Sequence, residues 1–255
     1  MNKMISKIKE RYYLGATYKI NSYHINVPRL SEIELEKRPL RFDIINYLLS
    51  QKQEKETVYL EIGVRNPNDN FNRINANVKY SVDPGVEYKI NPVDFKMESD
   101  SFFEALENGD LLFPSIKFDV IFIDGLHLAE QVERDIKNAL KYIKDDGFII
   151  LHDCNPPTEY HAREEYCYDL SPAQYCWNGT TWKAFVNFRK RKDYFSCCVD
   201  SDWGLGIISK KIKFGISNKI ENNFYEYSIF NLNRKECLNL ISFEEFNNLI
   251  INKLM

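Results

Sequence analysis

The sequence predicts an α/β fold in which a mostly parallel, doubly wound sheet ends in an antiparallel hairpin. Between residues 57 and 153, short apolar segments alternate with longer ones, and one of the longer ones has helical periodicity. Strands that alternate with helices form right-handed βαβ units and therefore a parallel sheet. Acidic residues stand at the carboxyl ends of the apolar segments, which is the edge where open α/β sheets bind ligands.

The predicted parallel strands are four apolar segments, each followed by polar or turn-forming residues. They cover residues 58–63, 79–83, 118–124 and 148–151. A helix is predicted between the last two, because an apolar stripe at helical spacing runs from Leu128 to Ile143 and Gly147 follows near its end. After these elements the sequence predicts a helix at residues 180–191 and the hairpin strands at residues 194–199 and 205–209.

Three zones divide the chain. They are an N-terminal helical extension (residues 1–56), a core (57–210) with a substrate-loop insertion (155–180), and a C-terminal extension (211–255). In the first zone, Pro39 is expected in the first turn of a helix, because proline lacks the N–H that a first turn leaves unpaired. In the last zone, Ser242 and Glu245 have the spacing of a capping box that opens a final amphipathic helix.

Charge and cysteine usage exclude several classes of partner and location. The 34 basic and 37 acidic residues give a formal net charge of -3, so there is no broad positive field to hold a nucleic acid. The basic run at residues 189–192 is interpreted as a solvated helix end. No apolar run approaches the ~18 residues of a membrane span, and the N-terminus lacks the pattern of a secretory signal. Six cysteines without C-x-x-C spacing indicate free thiols, so we expect a cytoplasmic protein.

The first candidate ligand site lies where two neighbouring predicted strands end. Gly63 closes the strand that contains Glu61, and a glycine there lets a ligand approach the backbone. Asp83 ends the next strand, about 20 residues on, where an acidic residue accepts hydrogen bonds from ribose hydroxyls. An ordinary strand–helix turn and a turn-capping aspartate explain the same residues, because only one glycine of a G-x-G-x-x-G fingerprint is present.

A second candidate segment, at Asp100 and Ser101, stands at the start of a predicted helix. A helix start needs only a capping residue, and that explanation is sufficient for these two residues. In an adenosine-binding fold, however, the same loop would lie beside the adenine. A carboxylate there would accept a hydrogen bond from the adenine amino group.

The third candidate site combines the ends of the last two parallel strands. Asp124 ends one strand and His127 follows three residues later, while His152 and Asp153 end the next strand. His127 is the candidate general base, because the unperturbed pKa of histidine is near neutral. The four side chains could also hold a divalent metal, but their spacing specifies no metal, and none is predicted.

These motifs resemble those of class I S-adenosylmethionine-dependent methyltransferases, and most of all bacterial members associated with glycan and surface-polysaccharide biosynthesis. The resemblance is carried by residues 59–64, 99–101, 118–127 and 151–153. Residues 177–184 and 202–207 also look like features of this subgroup, so the similarity extends over roughly residues 40–209. It departs from the family at residues 65–70, where the usual second and third glycines of the cofactor loop are replaced.

The resemblance implies a Rossmann-like methyltransferase fold that binds S-adenosyl-L-methionine. Gly63 and the loop after it would meet the methionine part of the cofactor. Asp83 would hold the ribose, and Asp100 or Ser101 would reach the adenine. The implied cofactor-binding residues are Glu61, Gly63, Arg65, Asn66, Asp83, Asp100, Ser101 and Asp124. The implied catalytic residues are His127, Asp124, His152 and Asp153, with His127 as the base.

The predicted reaction is O-methylation of a sugar or a surface-polysaccharide precursor, with a small molecule or a nucleotide sugar as the substrate. One alternative is a nucleotide-dependent oxidoreductase or epimerase on the same fold, although the glycine fingerprint and an obvious Tyr-Lys pair are missing. Another is a non-catalytic binding subunit, which the altered cofactor loop favours. The sequence leaves open the methyl acceptor, the use of a divalent metal, the oligomeric state (a homodimer included) and the roles of both extensions.

Overall fold

The structure, a computed structural model, describes residues 2–52, 56–87 and 90–254. Within these residues, seven strands form one sheet, and helices flank it. The strands are β1 (Val58–Ile62), β2 (Val78–Val82), β3 (Phe118–Ile123), β4 (Ile143–Leu151), β5 (Phe195–Val199), β6 (Leu205–Ser209) and β7 (Leu240–Ile241). The α-helices are α1 (Asn2–Ile20), α2 (Ser22–Glu36), α3 (Arg41–Ser50), α4 (Ser99–Asn108), α5 (Ala129–Tyr142), α6 (Thr181–Phe188), α7 (Tyr227–Leu232), α8 (Arg234–Leu238) and α9 (Phe243–Leu254).

The sheet is parallel in one half and antiparallel at the hairpin. Its strands lie in the order β2-β1-β3-β4-β6-β5-β7, and the first four are parallel to one another. β6 is antiparallel to both β4 and β5, and β7 pairs in parallel with β5. This topology confirms the predicted fold class, including the antiparallel hairpin.

The register places the carboxyl ends of the parallel strands level with one another. Ile62 at the end of β1 lies opposite Val82 of β2 and Ile123 of β3. Ile123 in turn lies opposite Leu151 of β4. The residues that follow these strands therefore reach the same edge of the sheet, which we call the carboxyl edge.

Two apolar layers cover the sheet, because successive strand residues point to opposite faces. On one face, Leu60 and Ile62 of β1 belong to a buried cluster with the apolar residues of α4 and α5. On the other face, Tyr59 belongs to a cluster with Ile44 of α3 and Phe246 of α9. Helices thus lie on both faces, which is the doubly wound arrangement that the sequence predicts.

Most predicted elements lie close to their expected positions. Helices α5 and α6 and strands β5 and β6 match the predicted segments. The predicted capping box is present, since the backbone N–H of Ser242 donates to Glu245 Oε2 (2.7 Å) and that of Glu245 donates to Ser242 Oγ (3.1 Å). Gly147, expected near the end of α5, lies instead inside β4, because the strand begins at Ile143 directly after the helix.

The start of α3 differs from the prediction for Pro39. The helix begins at Arg41, two residues after the proline, and Leu40 is its N-cap. The reason is Asp43, whose Oδ2 accepts a hydrogen bond from the backbone N–H of Leu40 (3.0 Å) and so closes the first turn at that point. Pro39 therefore precedes the helix and places Arg41 at its first position.

The extensions on both sides of the core are described in part. α1 and α2 account for most of the predicted N-terminal extension, and residues 4–20 are exposed. Met1 and residues 53–55 of that extension, and Met255 of the C-terminal one, lie outside the described residues. Within the described residues, no helix combines the length and apolar character that a membrane crossing requires.

The basic run at residues 189–192 is only partly the solvated helix end that the sequence predicts. Arg189 is 2% exposed, and it donates from Nε to the carbonyl of Cys237 (2.7 Å) and from Nη2 to that of Ile216 (3.1 Å). Burial lowers the pKa of this guanidinium to about 10. Arg189 thus joins α6 to the C-terminal segment, whereas residues 190–192 are exposed.

Candidate active site

The four predicted catalytic residues meet at the carboxyl edge of the sheet. Asp124 follows β3 directly, and His152 and Asp153 follow β4. Asp124 Oδ1 lies 3.3 Å from Nε2 of His127 and 3.2 Å from Nδ1 of His152. Asp153 Oδ2 lies 3.3 Å from Nδ1 of His127 and 3.0 Å from Nδ1 of His152. Each histidine therefore faces both carboxylates.

Two further charged residues, which the sequence interpretation did not assign to the site, complete what we call the charged cluster. The Nη1 atom of Arg41 lies 2.8 Å from Asp124 Oδ2, and its Nε lies 3.0 Å from Asp202 Oδ2. Asp202 Oδ1 lies 3.3 Å from Nε2 of His152. The hairpin topology could have indicated Asp202, because an antiparallel β6 brings the turn after β5 back to the carboxyl edge. No local pattern marks Arg41.

The turns that carry two of these carboxyl groups have unusual backbone conformations. Asp153 has a φ of 61°, and Asp202 and Trp203 have φ values of 44° and 64°. For residues other than glycine such left-handed positions cost about 1–3 kcal/mol each and concentrate at functional sites. Here the backbone N–H of Cys154 donates to the carbonyl of Gly204 (3.0 Å), so the two turns hold each other in place.

The predicted substrate-loop insertion positions His127. The carbonyl of His127 accepts a hydrogen bond from the backbone N–H of Thr180 (2.7 Å), and its Nδ1 lies 3.1 Å from the carbonyl oxygen of Trp177. The imidazole also stacks on the indole of Trp177, with ring centroids 5.2 Å apart. From the same loop, Nδ2 of Asn178 donates to Asp153 Oδ1 (2.6 Å). The insertion thus fixes the histidine and one of its carboxylates together.

The charges of the cluster decide its protonation. Burial by itself disfavours the charged imidazole of His127, but Asp153 and Asp124 outweigh it and raise the pKa of His127 to about 9. Burial also disfavours the charged form of His152, yet the same two carboxylates raise its pKa well above the usual value. Burial would raise the pKa of Asp124, but the two histidines and Arg41 hold it well below its usual range. The two carboxylates therefore hold the pKa of His127 above that of a free imidazole, and this base must first lose a proton.

The cluster also contains a donor set of the kind that binds metal ions. One ligand atom each from Asp124, His152 and Asp153 lies within 4.8 Å of the others. Nδ1 of His152 lies 3.2 and 3.0 Å from the two carboxylates, and a metal bound through this nitrogen would require it without its proton. Three carboxyl groups here face three cationic groups, namely Arg41 and the two histidines, so the chain itself balances their charge. That no metal is used stays a prediction.

The close approach predicted at Gly63 is made by a neighbouring turn. This turn occupies the space next to Gly63 that a ligand would need. Gly63 has a φ of 88°, and a Cβ placed on it would lie 2.2 Å from the carbonyl oxygen of Asp124 and 2.5 Å from the Cα of Gly125. Its N–H donates to the carbonyl of Val82 (2.8 Å). Glycine is required at this position because the turns after β1 and β3 touch, and this contact helps to place Asp124.

Substituting Gly63 tests that packing. Gly63→Ala is expected to lower the free energy of unfolding by about 2–6 kcal/mol, since backbone strain and overpacking each cost about 1–3 kcal/mol. Urea denaturation measures the change. Gly15→Ala in α1 is the matched control, because a Cβ there meets nothing within 4 Å and alanine favours a helix. If Gly63→Ala proved as stable as the wild type, the two turns would not be in contact.

Two acidic residues predicted at the cofactor edge are engaged in local contacts. Asp83 Oδ1 accepts hydrogen bonds from the backbone N–H of Gly85 (2.6 Å) and from Nδ2 of Asn91 (2.8 Å), as a turn-capping aspartate would. Glu61 is 3% exposed, and its Oε2 accepts a hydrogen bond from the hydroxyl of Tyr59 (2.6 Å). Burial raises the pKa of Glu61 to about 8. Glu61 thus lies beneath the carboxyl edge, on the face covered by α3.

The remaining residues predicted to bind the cofactor lie in the loop after β1 and in the first turn of α4. Arg65 Nη2 lies 3.3 Å from Asp69 Oδ2, and both side chains are more than half exposed. Asn66 also donates to Asp69, at 3.3 Å. At the start of α4, Asp100 Oδ2 lies 3.0 Å from Nε of Arg134, and the next residue, Ser101, is exposed. These contacts are made within a loop or with α5, apart from the charged cluster.

Comparison with known proteins places a family match on the strands that form this site. Residues 60–154 match the family model described as a methyltransferase domain, which confirms the predicted class of enzyme. No curated protein matches the sequence. An O-methyltransferase of Bacillus cereus, solved in complex with SAH, is similar with 15% identity and a TM-score of 0.40, over 74% of this chain and 89% of that chain. An SAH-bound methyltransferase of Podospora anserina is similar with 12% identity and a TM-score of 0.44, over 83% and 97%.

Proposed function

We propose that this chain, with its methyltransferase domain at residues 60–154, transfers the methyl group of S-adenosyl-L-methionine to a hydroxyl group of a sugar or surface-polysaccharide precursor. The observation that carries the proposal is the position of His127, which lies 3.3 Å from both Asp124 and Asp153 at the carboxyl edge. This is the edge where open α/β sheets bind ligands. A base held between two carboxylates there is placed to activate a hydroxyl group.

The proposed cofactor site spans the ends of β1 and β2. When bound, S-adenosyl-L-methionine supplies a methyl group that is already activated, so the main task of the chain is alignment. The loop after Gly63 receives the methionine part, since Gly63 itself packs against the turn after β3. Asp83 holds the ribose through Oδ2, because its Oδ1 is used within the turn. The other proposed cofactor residues are Glu61, Arg65, Asn66, Asp100, Ser101 and Asp124.

His127 is proposed to take the proton of the acceptor hydroxyl. Its Nδ1 faces two acceptors, the Trp177 carbonyl at 3.1 Å and Asp153 Oδ2 at 3.3 Å, and therefore carries the ring proton. Its Nε2, 3.3 Å from Asp124 Oδ1, is the nitrogen that accepts the substrate proton. Asp124 and Asp153 then stabilise the imidazolium, while Nδ1 of His152 lies 3.2 Å from Asp124 and 3.0 Å from Asp153.

A row of aromatic rings beside His127 supports a sugar as the acceptor. The ring of Tyr166 lies 5.7 Å from that of Trp177, and the ring of Tyr168 lies 5.8 Å from that of Tyr166. The two tyrosines are 47% and 50% exposed, so the row leads from the base to the surface. Such rings combine an apolar face with a polar edge, which suits the mixed surface of a sugar. We therefore propose that residues 155–180 receive the substrate, which is a nucleotide sugar or a small molecule. The proposed location of the reaction is the cytoplasm.

Titration calorimetry separates this proposal from its alternatives. Binding of S-adenosylmethionine and S-adenosylhomocysteine, without binding of NAD, supports it. Binding of NAD would favour the oxidoreductase or epimerase, and no cofactor binding would favour the non-catalytic subunit. Transfer of a labelled methyl group to a panel of sugars and nucleotide sugars then identifies the acceptor. A chelator in the same assay should leave the rate unchanged, and loss of activity would contradict the metal-free mechanism.

A further inference from the structure

We propose that Arg41 is a positioning residue of the methyl-transfer site, which sets the orientation of Asp124 towards His127. The proposal rests on the proposed function, because it assigns Arg41 a part in the same reaction. Arg41 lies outside the matched residues 60–154 and stands at the first position of α3. The observation behind the proposal is a closed ring of contacts in which Arg41 is one of four members.

The contacts of Arg41 use several donors at once. Its Nη1 donates to Asp124 Oδ2 at 2.8 Å. Its Nε and its backbone N–H both donate to Asp202 Oδ2, at 3.0 and 2.8 Å. The planar guanidinium therefore bridges two carboxylates while its own backbone is fixed to one of them. Such multidentate pairs hold an orientation more firmly than a single point charge does.

The ring closes through His152. Asp202 Oδ1 lies 3.3 Å from Nε2 of His152, and Nδ1 of the same imidazole lies 3.2 Å from Asp124 Oδ1. Asp124 then returns to Arg41 through Oδ2. The four members come from the start of α3, the end of β3, the end of β4 and the turn between β5 and β6. Four separate chain segments thus fix one another at the carboxyl edge.

The ring determines which oxygen of Asp124 is presented to the base. Oδ2 is taken by Arg41, so Oδ1 is the oxygen that faces His127, at 3.3 Å. Without Arg41 the carboxylate could turn about its side-chain torsion and lose this orientation. The position of Arg41 is itself fixed, because α3 is anchored to the sheet through buried residues such as Ile44 and Leu48.

A neighbouring ion pair supplies a matched control for a purely structural role. Lys37, after the end of α2, lies 2.6 Å from Asp200 Oδ1 and 2.7 Å from Glu34 Oε1. It connects the N-terminal helices to the same β5–β6 turn as Arg41 does, yet its contacts do not include the charged cluster. Lys37→Gln therefore removes a similar tether without opening the ring.

The test compares Arg41→Gln, Arg41→Lys and Lys37→Gln with the wild type. We expect Arg41→Gln to lower kcat about 100-fold, the loss typical of a misplaced catalytic group, and to change the Kd for S-adenosylhomocysteine far less, because Asp124 is one of eight proposed cofactor residues. Arg41→Lys should stay at least about 10-fold below the wild type, because an ammonium is a point charge without the planar set of donors that fixes the directions of the Asp124 and Asp202 contacts. Lys37→Gln should retain the wild-type kcat. Equal kcat losses in Arg41→Gln and Lys37→Gln, or full activity in Arg41→Gln, would overturn the proposal.

A second measurement needs no acceptor and separates this proposal from the proposed function. Nitrogen-15 spectra of the histidine rings are recorded for each variant. The ring signals of His127 and His152 should move in Arg41→Gln and stay in place in Lys37→Gln. If the wild type bound no S-adenosylmethionine, the proposed function would fail, whereas moved ring signals would still support the ring. Unmoved signals in Arg41→Gln would overturn the role of Arg41 even in an active methyltransferase.

Discussion

Replacing His127 with glutamine is expected to lower kcat by about 10²- to 10⁴-fold, the range that a general base contributes. The affinity for S-adenosylhomocysteine should change far less than kcat, because most of the proposed cofactor residues lie at the ends of β1 and β2, and only Asp124 among them is paired with His127 in the described residues. Glutamine keeps a similar size and a hydrogen-bonding group but has no nitrogen that accepts a proton at neutral pH. The expected loss therefore falls on the chemical step rather than on binding.

Single-turnover methyl transfer and calorimetry measure the two quantities separately. His24→Gln is the matched control, since His24 lies in α2 and stacks on Tyr18, with a ring-centroid distance of 3.2 Å. This control should retain the wild-type kcat. A His127→Gln variant that still turned over at the wild-type rate would show that another group removes the proton.

The second large effect concerns pH. The pKa of His127 is raised to about 9, so only about 1% of the imidazole is neutral at pH 7. Because the neutral form is the base, kcat should rise about 10-fold between pH 7 and 8 and level off above about pH 9. The total rise from pH 7 is expected to be roughly 50- to 100-fold.

Stability should change in the opposite direction over the same interval. A histidine whose pKa is higher in the folded state stabilises the fold fully below its unfolded pKa of about 6.5, and this contribution is lost as the pH rises through the folded value. For His127 the loss therefore occurs between about pH 6.5 and 9. Thermal unfolding and kcat measured at the same pH values check both directions. An optimum of kcat near pH 7 would contradict the assignment of His127 as the base.

The sequence predicts the parts of the site that depend on regular pairing. Strand periodicity places Asp124 and Asp153 after adjacent parallel strands, and a level register brings such positions to one edge. The positions of His127 and His152 can be predicted as well, because both residues stand within three residues of these aspartates. Arg41 could not be predicted in the same way, since its contact with Asp202 joins residues 161 apart in the chain through the packing of α3.

Properties that depend on residues brought together by folding could not be predicted from the sequence either. The pKa of His127 reflects burial and two carboxylates, of which only Asp124 is close to it in the sequence. The glycine at Gly63 is explained by the backbone of Asp124, which lies 61 positions further along the chain. A glycine after a strand shows that something approaches closely, but it does not show whether a ligand or another turn does so.

The charge balance at the carboxyl edge has a consequence for dividing or recombining this protein. A fragment cut to residues 60–154 would keep His127, Asp124 and Asp153 but lose the guanidinium that precedes them and the carboxylate that follows them. Grafting this domain onto the helices of another protein would therefore require a new cationic side chain at the position of the Arg41 guanidinium. Through α3, the helices before the sheet therefore contribute a charge that the site needs, and they cannot be removed without changing the site.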